Sequence, residues 1–389
     1  MTSSPTLPQS RNAVFAAFAL AGITFASLVS RLPDIRQTLH LSNGELGLLL
    51  LATSTGCLVS MPLAGRMIER FSAPGIVRAG AVSVVGGLVI AGFGATVAGR
   101  ELVAALGLFV MGLGVSIWDV AMNVEGAEVE RRLGRTIMPR FHAVWSVGSL
   151  AGSAVGIPMA ALGVPVLLHL CVVGLPALVA AFLATGYFLP VDAHSHDSVD
   201  SSGARRSPWT EPRTLFIGVM VLAFALAEGS ANDWLSLGVI DGYHQEHWVG
   251  VTAFSVFVVS MTVSRFLGTT TLDRFGRAPV LWGCSGLAAV GILITVFAGH
   301  LALAFVGIVI WGLGASLGFP VGMSAAADDP IGAAKRVSVV STIGYGAFLI
   351  GPPLLGWIGD HTGTLRSLLV VAALMVPAAL TVFAARERS

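Results

Sequence analysis

Twelve long apolar runs, six on either side of a polar segment, constrain this chain more than any other feature. A helix rises about 1.5 Å per residue, so about 20 apolar residues cross the hydrocarbon core of a bilayer. The runs lie at roughly 12–31, 44–64, 76–97, 101–124, 139–161 and 165–188, then at 213–235, 248–270, 277–298, 301–324, 336–358 and 365–385. The polar segment between the sets holds most of the Ser–Asp–His–Arg run of the sequence. The expected architecture is an all-α membrane protein: twelve transmembrane helices in two six-helix bundles, residues 1–189 and 213–389, joined by a linker at 190–212. Six plus six spans around a polar linker point to a secondary transporter embedded in a lipid bilayer.

Composition excludes most other classes. Hydrophobic residues make up 55% of the 389 and charged residues 11%, well below the quarter usual for soluble domains. The net charge of +1, with no basic run interleaved with aromatics, argues against a nucleic-acid partner. Cys57, Cys171 and Cys284 lie in separate apolar runs, which suggests neither a disulfide framework nor a metal cluster. No GxxxxGK[ST] run is present to cradle ATP phosphates, and no nucleophile–base constellation supports an enzyme. No cofactor or metal is expected; an ion gradient would supply the energy. The N-terminal run resembles a signal peptide in its Arg11 and Ala13–Val29, yet no soluble domain follows it, so it reads as the first span.

Charge bias sets the expected orientation. With the N-terminus inside, 18 of the 22 Lys and Arg residues fall at cytoplasmic ends, Arg265 among them. Only Arg31, Arg36, Arg100 and Arg366 fall outside. The positive-inside rule then places both termini and the linker in the cytoplasm. The Ala/Gly/Arg-rich style, with a single Lys, suggests a bacterial source and hence the cytoplasmic (inner) membrane.

The two halves repeat one another. Met111–Gly–Leu–Gly–Val–Ser–Ile in the fourth run matches Trp311–Gly–Leu–Gly–Ala–Ser–Leu in the tenth, 200 positions on. Leu63–Ala–Gly–Arg–Met–Ile–Glu–Arg–Phe matches Leu267–Gly–Thr–Thr–Thr–Leu–Asp–Arg–Phe, 204 positions on. Parallel repeats of this kind suit two bundles that rock about an axis along the membrane normal.

The second of these pairs, at the turns after the second and eighth runs, also carries a resemblance. Thr269 to Arg277, with Asp273, Arg274 and the Gly276–Arg277 pair, and the shorter match at Gly65, Glu69 and Arg70, resemble the GxxxDRxGR-type loop of the major facilitator superfamily. The first copy has Glu for Asp and lacks the terminal Gly–Arg; the second has Thr269 where Gly is usual. The resemblance implies the two-bundle fold and an inner gate built from these loops. Physically, Gly permits a tight turn, the acid can cap a neighbouring helix start, and the arginines anchor at the interface. Topological anchoring without gating is the alternative reading.

Function in such a fold rests on the few polar groups that the membrane should exclude, each costing at least about 2.5–3.5 kcal/mol on insertion scales. Asp119 and Asn123 stand four residues apart on one helix face. The run from Gly112 to Asn123 resembles the fourth helix of the fucose–proton symporter branch, where a carboxylate four residues before an Asn lines the central cavity. That implies that Asp119 exchanges protons and Asn123 binds solute. Here the acid is Asp rather than Glu, and Val124 replaces the Pro that follows the Asn. Asp119 counts about 27 Å from the outer end of its run, toward the inner side, so pairing with a gate arginine is the alternative. Glu228, near mid-membrane in the seventh run with Asn232 four residues on, is the second proton-site candidate; a structural hydrogen bond is its alternative. Glu125 is expected to pair with loop arginines.

Arg31 reads either as a snorkelling interfacial side chain or as an outer-gate ion pair with Asp34 or Asp233. Arg140 and His142 open the fifth run and could neutralise Asp119 or relay its proton; a structural role is the alternative for His142. Trp118 and Trp145 are candidate surfaces for stacking a solute, although Trp is also frequent at membrane interfaces. Gly148, Gly152 and Gly156 suit close helix crossing, and with Pro158 they loosely resemble an element of drug–proton antiporters. The leading expectation is a monomeric, proton-coupled symporter of a sugar or other small polar solute, with sodium coupling left open. A drug–proton exporter and a non-transporting membrane sensor are its rivals.

Overall fold

The computed structural model describes residues 5–41, 43–189, 207–245 and 247–387. Among the described residues the regular elements are all helical. Twelve helices are long and apolar enough to cross a membrane. Spans 1 to 6 are Leu7–Thr38, Leu48–Phe71, Ala73–Ala98, Glu101–Leu133, Met138–Ala160 and Val166–Thr185. Spans 7 to 12 are Pro212–Tyr243, Thr252–Phe275, Arg277–Phe297, Leu301–Ala326, Ala333–Thr362 and Thr364–Ala385. Each of the twelve expected runs has its helix. Of the linker expected at 190–212, residues 190–206 lie outside the described residues, and Pro208–Thr210 form one 3-10 turn.

The chain divides into two compact units. The first takes in described residues of 1–134, 144–201 and 329–338; the second takes in those of 135–143, 202–328 and 339–389. Within each unit the repeat seen in sequence recurs as packing. In the first, a Cβ on Gly112 of span 4 would collide with the Thr53 carbonyl of span 2. In the second, a Cβ on Gly312 would stand 2.7 Å from the Phe257 carbonyl of span 8. Small residues let backbones approach this closely where no hydrophobic force drives helices together.

Polar side chains fasten the same crossings. Ser60 of span 2 donates to the Leu113 carbonyl at 3.0 Å and lies 2.5 Å from the Ser116 hydroxyl. Ser264 of span 8 donates to the Leu313 carbonyl at 3.2 Å and lies 2.7 Å from the Ser316 hydroxyl. The two junctions are related by the offsets found in the sequence.

Three departures from regular helix matter for the site. Span 7 contains a π turn, Ala231–Leu235, between its α-helical parts. Span 10 breaks between Leu301–Ala315 and Gly318–Ala326. Proline carries no N–H, so Pro320 cannot donate to the carbonyl four residues back, and the Ser316 carbonyl loses its helical partner. Val120 occupies the related place in span 4, which continues unbroken. Lastly, the tight turn between spans 2 and 3 puts Ser72 at φ 64°, ψ 158°, where its counterpart between spans 8 and 9 is Gly276 at φ 77°, ψ 168°.

Candidate functional site

In the first unit the polar centre is Asp119 with Asn123. Span 4 runs on past residue 124 to Leu133, so Asp119 lies about 27 Å from one end and about 21 Å from the other. That moves it from the inner side, where the sequence placed it, to near the middle of its helix. Asp119 is 8% exposed and Asn123 is fully buried. The Asn123 amide donates to the Asp119 carbonyl at 2.9 Å and to its Oδ1 at 3.3 Å, the contact that i, i+4 spacing predicts. Trp118, one residue away, points elsewhere: its Cβ packs against Gly80 of span 3 and its indole N–H has no hydrogen-bond partner among the described residues. Trp145 stacks obliquely on Phe25, with ring centroids 5.8 Å apart.

Beyond Asn123 the same helix carries further acids. Arg131 and Arg132 pair with Glu128, at 2.6 and 2.7 Å. Glu125 accepts the Leu189 N–H at 2.7 Å, capping the chain where it leaves span 6.

Arg31 is 2% exposed, which removes the snorkelling reading, since a snorkelling head would reach water. Its Nε donates to Asp34 at 2.8 Å and its Nη2 to the Val164 carbonyl at 2.6 Å, joining the end of span 1 to the turn before span 6. Asp233 sits in the second unit, on the π turn of span 7. With Trp234, Gly229, Ser230 and Phe348 it lines a narrow crevice. Asn232 on that turn is exposed.

In the second unit the polar centre is an ion pair. Arg265 Nη2 donates to Glu228 Oε2 at 2.8 Å, and Arg265 Nε donates to the freed Ser316 carbonyl at 3.1 Å. Glu228 stands about 24 and 22 Å from the two ends of span 7; Arg265 stands about 20 and 15 Å from those of span 8. The Arg265 side chain is 3% exposed and that of Glu228 17%. Arg265 therefore does not belong with the cytoplasmic-end cations with which the sequence count grouped it. Arg140 and His142 cluster with this second unit, where the His142 ring meets Phe319 edge-on at 5.6 Å.

The loop residues with the family signature fall into related places. Arg70 lies over the Phe71 ring at 5.5 Å, and Arg274 over the Phe275 ring at 5.2 Å. Glu69 pairs with Lys335 at 2.7 Å, and a Cβ on Gly65 would stand 2.7 Å from the Ala334 carbonyl, so that glycine serves close approach rather than a turn. Asp273 accepts the Thr136 N–H at 3.0 Å, just ahead of the helix that starts at Met138. Arg277 donates to Asp328 at 2.7 Å and to Ser324 at 2.8 Å, while Arg213 donates to the other Asp328 oxygen at 2.6 Å. One carboxylate thus ties together the starts of spans 7 and 9 and the end of span 10.

Residues 14–333 and 247–389 match the Major Facilitator Superfamily. The chain belongs to that superfamily. It is 31% identical over 349 residues to an uncharacterised transporter of Sinorhizobium fredii, covering 89% of this chain and 90% of the relative. A membrane protein of Rhizobium meliloti, MosC, is 26% identical over 96% of this chain and 89% of its own length. Among solved structures, the superfamily transporter FucP in its outward conformation aligns with a TM-score of 0.83 at 16% identity, covering 97% of this chain and 99% of that one. The proton:xylose symporter XylE aligns with a TM-score of 0.78 at 15% identity, covering 96% and 94%. These likenesses establish the fold. As a Major Facilitator Superfamily member, the protein is a membrane transporter and not an enzyme.

Sequence reasoning missed two residues of this transporter. Arg265 sits inside the expected run 248–270, and a lone cation in an apolar window was the available signal. Asp328 follows the expected end of the tenth run, and only the fold reveals that it faces two arginines.

Proposed function

We propose that this transporter carries a small polar solute together with protons by alternating access, as a symporter in a bacterial cytoplasmic membrane, with both termini inside. The observation that carries the reading is Asp119: a carboxylate near mid-helix, 8% exposed, joined to the amide of Asn123. A group so costly at that depth is by default a functional one, and proton relays are a common use. Asn123 would bind solute, so that proton and solute favour the same conformations. Only such differential binding couples the two fluxes. The loops at Gly65, Glu69 and Arg70, and at Asp273, Arg274 and Arg277, would form the inner gate, and the Arg31–Asp34 pair, with its arginine buried, would brace the outer end of span 1. Two fold neighbours, a fucose:proton symporter and a proton:xylose symporter, support the choice of coupling ion and solute class.

The test is solute flux in proteoliposomes under an imposed pH gradient, with sugars, small organic acids and lipophilic cations as probes. Uptake of a sugar or acid that follows the pH gradient, and that fails in Asp119→Asn, is the expected result. Efflux of lipophilic cations would support an exporter. Flux that follows sodium, or an Asp119→Asn variant equal to wild type, would overturn the assignment.

A further inference from the structure

Asp233 stands outside the pairings that hold the other charges of the second unit. Among the described residues it makes no hydrogen bond and no ion pair. It lies about 31 and 15 Å from the two ends of span 7, inside the helix, where no terminal N–H is available for it to cap. Ionisable groups at such depth face a bundle interior or a water-filled cavity and mark solute pathways, because lipid does not solvate them. The π turn that carries Asp233 is itself a feature frequent at functional sites.

Spans 7 and 11 build its surroundings. Gly229 stands one turn before Asp233, and a Cβ on it would meet the Phe348 ring at 3.0 Å. A Cβ on Gly356 would meet the Trp234 indole at 3.2 Å. Two glycines thus let two aromatic side chains settle beside the carboxylate, where they line the same crevice. Phe348 is 38% exposed and Asp233 is exposed, so the mouth of the crevice is open to a ligand. Within it the Trp234 indole N–H is buried and has no hydrogen-bond partner among the described residues. The Ser230 hydroxyl is already committed to the Leu226 carbonyl. None of the described cations on spans 8 and 12, which pack against the π turn, forms an ion pair with Asp233: Arg265 pairs with Glu228, and Arg274 lies over Phe275.

We propose that Asp233 and Trp234 form a binding site for a solute that carries an ammonium group close to a hydroxyl or ether oxygen. An ionised carboxylate only accepts hydrogen bonds and an indole N–H only donates one, so the ligand must present a donor at one end and an acceptor at the other. A neutral polyol meets both demands but leaves the charge of Asp233 uncompensated. An ammonium group supplies charge and donors together, and its hydrogen bonds to a carboxylate are the stronger, charge-assisted kind. Aromatic side chains beside the carboxylate favour the same choice, since their ring faces attract cations. The inference names a solute class and rests on the symport reading for its transport cycle, but binding at Asp233 is measurable without transport.

The experiment follows thermal unfolding of the purified full-length protein, at constant ionic strength, in serinol, in its uncharged counterpart glycerol and in propylamine, which has the ammonium but no oxygen. Serinol at about ten times its dissociation constant should raise the midpoint by about 2–4 °C, and glycerol at the same concentration should not. Asp233→Asn keeps the size of the side chain and removes an uncompensated charge, so the variant should fold as well as wild type while binding serinol about 10–100-fold more weakly. Trp234→Phe keeps a ring and removes the N–H; it should weaken serinol and leave propylamine unchanged. Equal responses to serinol and glycerol, or a serinol response undiminished in Asp233→Asn, would overturn the site. Failure of the symport reading would appear separately, as flux in Asp119→Asn equal to wild type, with the serinol response intact.

Discussion

Ser72 offers a quantitative test of how far the two repeats share one backbone. Its φ of 64° and ψ of 158° lie in a region that is essentially restricted to glycine, and Gly276 occupies the same place in the second repeat. Holding a residue with a Cβ there costs about 1–3 kcal/mol. Glycine gives back about 0.5–1 kcal/mol through the greater freedom of the unfolded chain. The Ser72 hydroxyl makes no capping hydrogen bond to the helix that follows, so its removal forfeits none. Ser72→Gly should therefore stabilise the first unit by about 0.5–2 kcal/mol, raising its unfolding midpoint by about 2–6 °C. Gly276→Ser should lower that of the second by a similar amount; the nearest obstacle to its Cβ is the end of the Glu387 side chain, which can move. A thiol-reactive dye reads both, because Cys57 in the first unit and Cys284 in the second are buried in the folded protein. Variants retaining one or the other cysteine separate the two transitions. An unchanged or lowered midpoint for Ser72→Gly would refute the strain argument.

Three further outcomes follow from packing and charge. Gly112→Ala drives a Cβ into the Thr53 carbonyl and should cost about 1–3 kcal/mol, seen as a lower unfolding midpoint and less monodisperse protein in size-exclusion chromatography. Asp328→Asn leaves two guanidinium groups without their shared carboxylate; a loss of about 3 kcal/mol is expected in the Cys284 transition, and a change below about 1 kcal/mol would count against the clamp. Lys335→Ala breaks a pair in which both side chains are about 40% exposed, so stability should change by no more than about 1 kcal/mol in the same thermal assay.

The twelve spans were legible because a bilayer crossing demands a run of apolar residues, and composition reports that directly. The repeat was legible for a related reason: close helix crossings demand small residues, and the Gly–Leu–Gly–x–Ser pattern marks them in both halves. Helix ends were less legible. Hydropathy stops reporting helix once polar residues appear, yet span 4 continues through Glu125, Glu128 and Glu130 to Leu133, and span 8 through Asp273 to Phe275. That error in span length set Asp119 too far to one side and made Arg265 look interfacial. Pairings between helices were not legible at all. Nothing local in the chain says that Glu228 meets Arg265, or that Asp328 serves Arg213 and Arg277, because those meetings are fixed by which faces of distant helices pack together. Where pairing was local, spacing brought the partners within reach: Asp119 and Asn123 share one helix face, and Asp34 was one of the two partners open to Arg31.

The π turn at Ala231–Leu235 bears on how span 7 tolerates changes in length. A π turn is the local outcome of one residue more than an α-helix needs. Removing a single residue from this stretch should restore unbroken α-helix, leaving the packing register of Pro212–Ser230 and Ser236–Tyr243 in place. A one-residue deletion anywhere else in those two segments would rotate everything beyond it by about 100° and misalign the packed face. Span 7 thus carries one dispensable position, and it sits beside Asn232, Asp233 and Trp234, where a shorter chain would re-aim the polar side chains while the rest of the bundle stayed as it is.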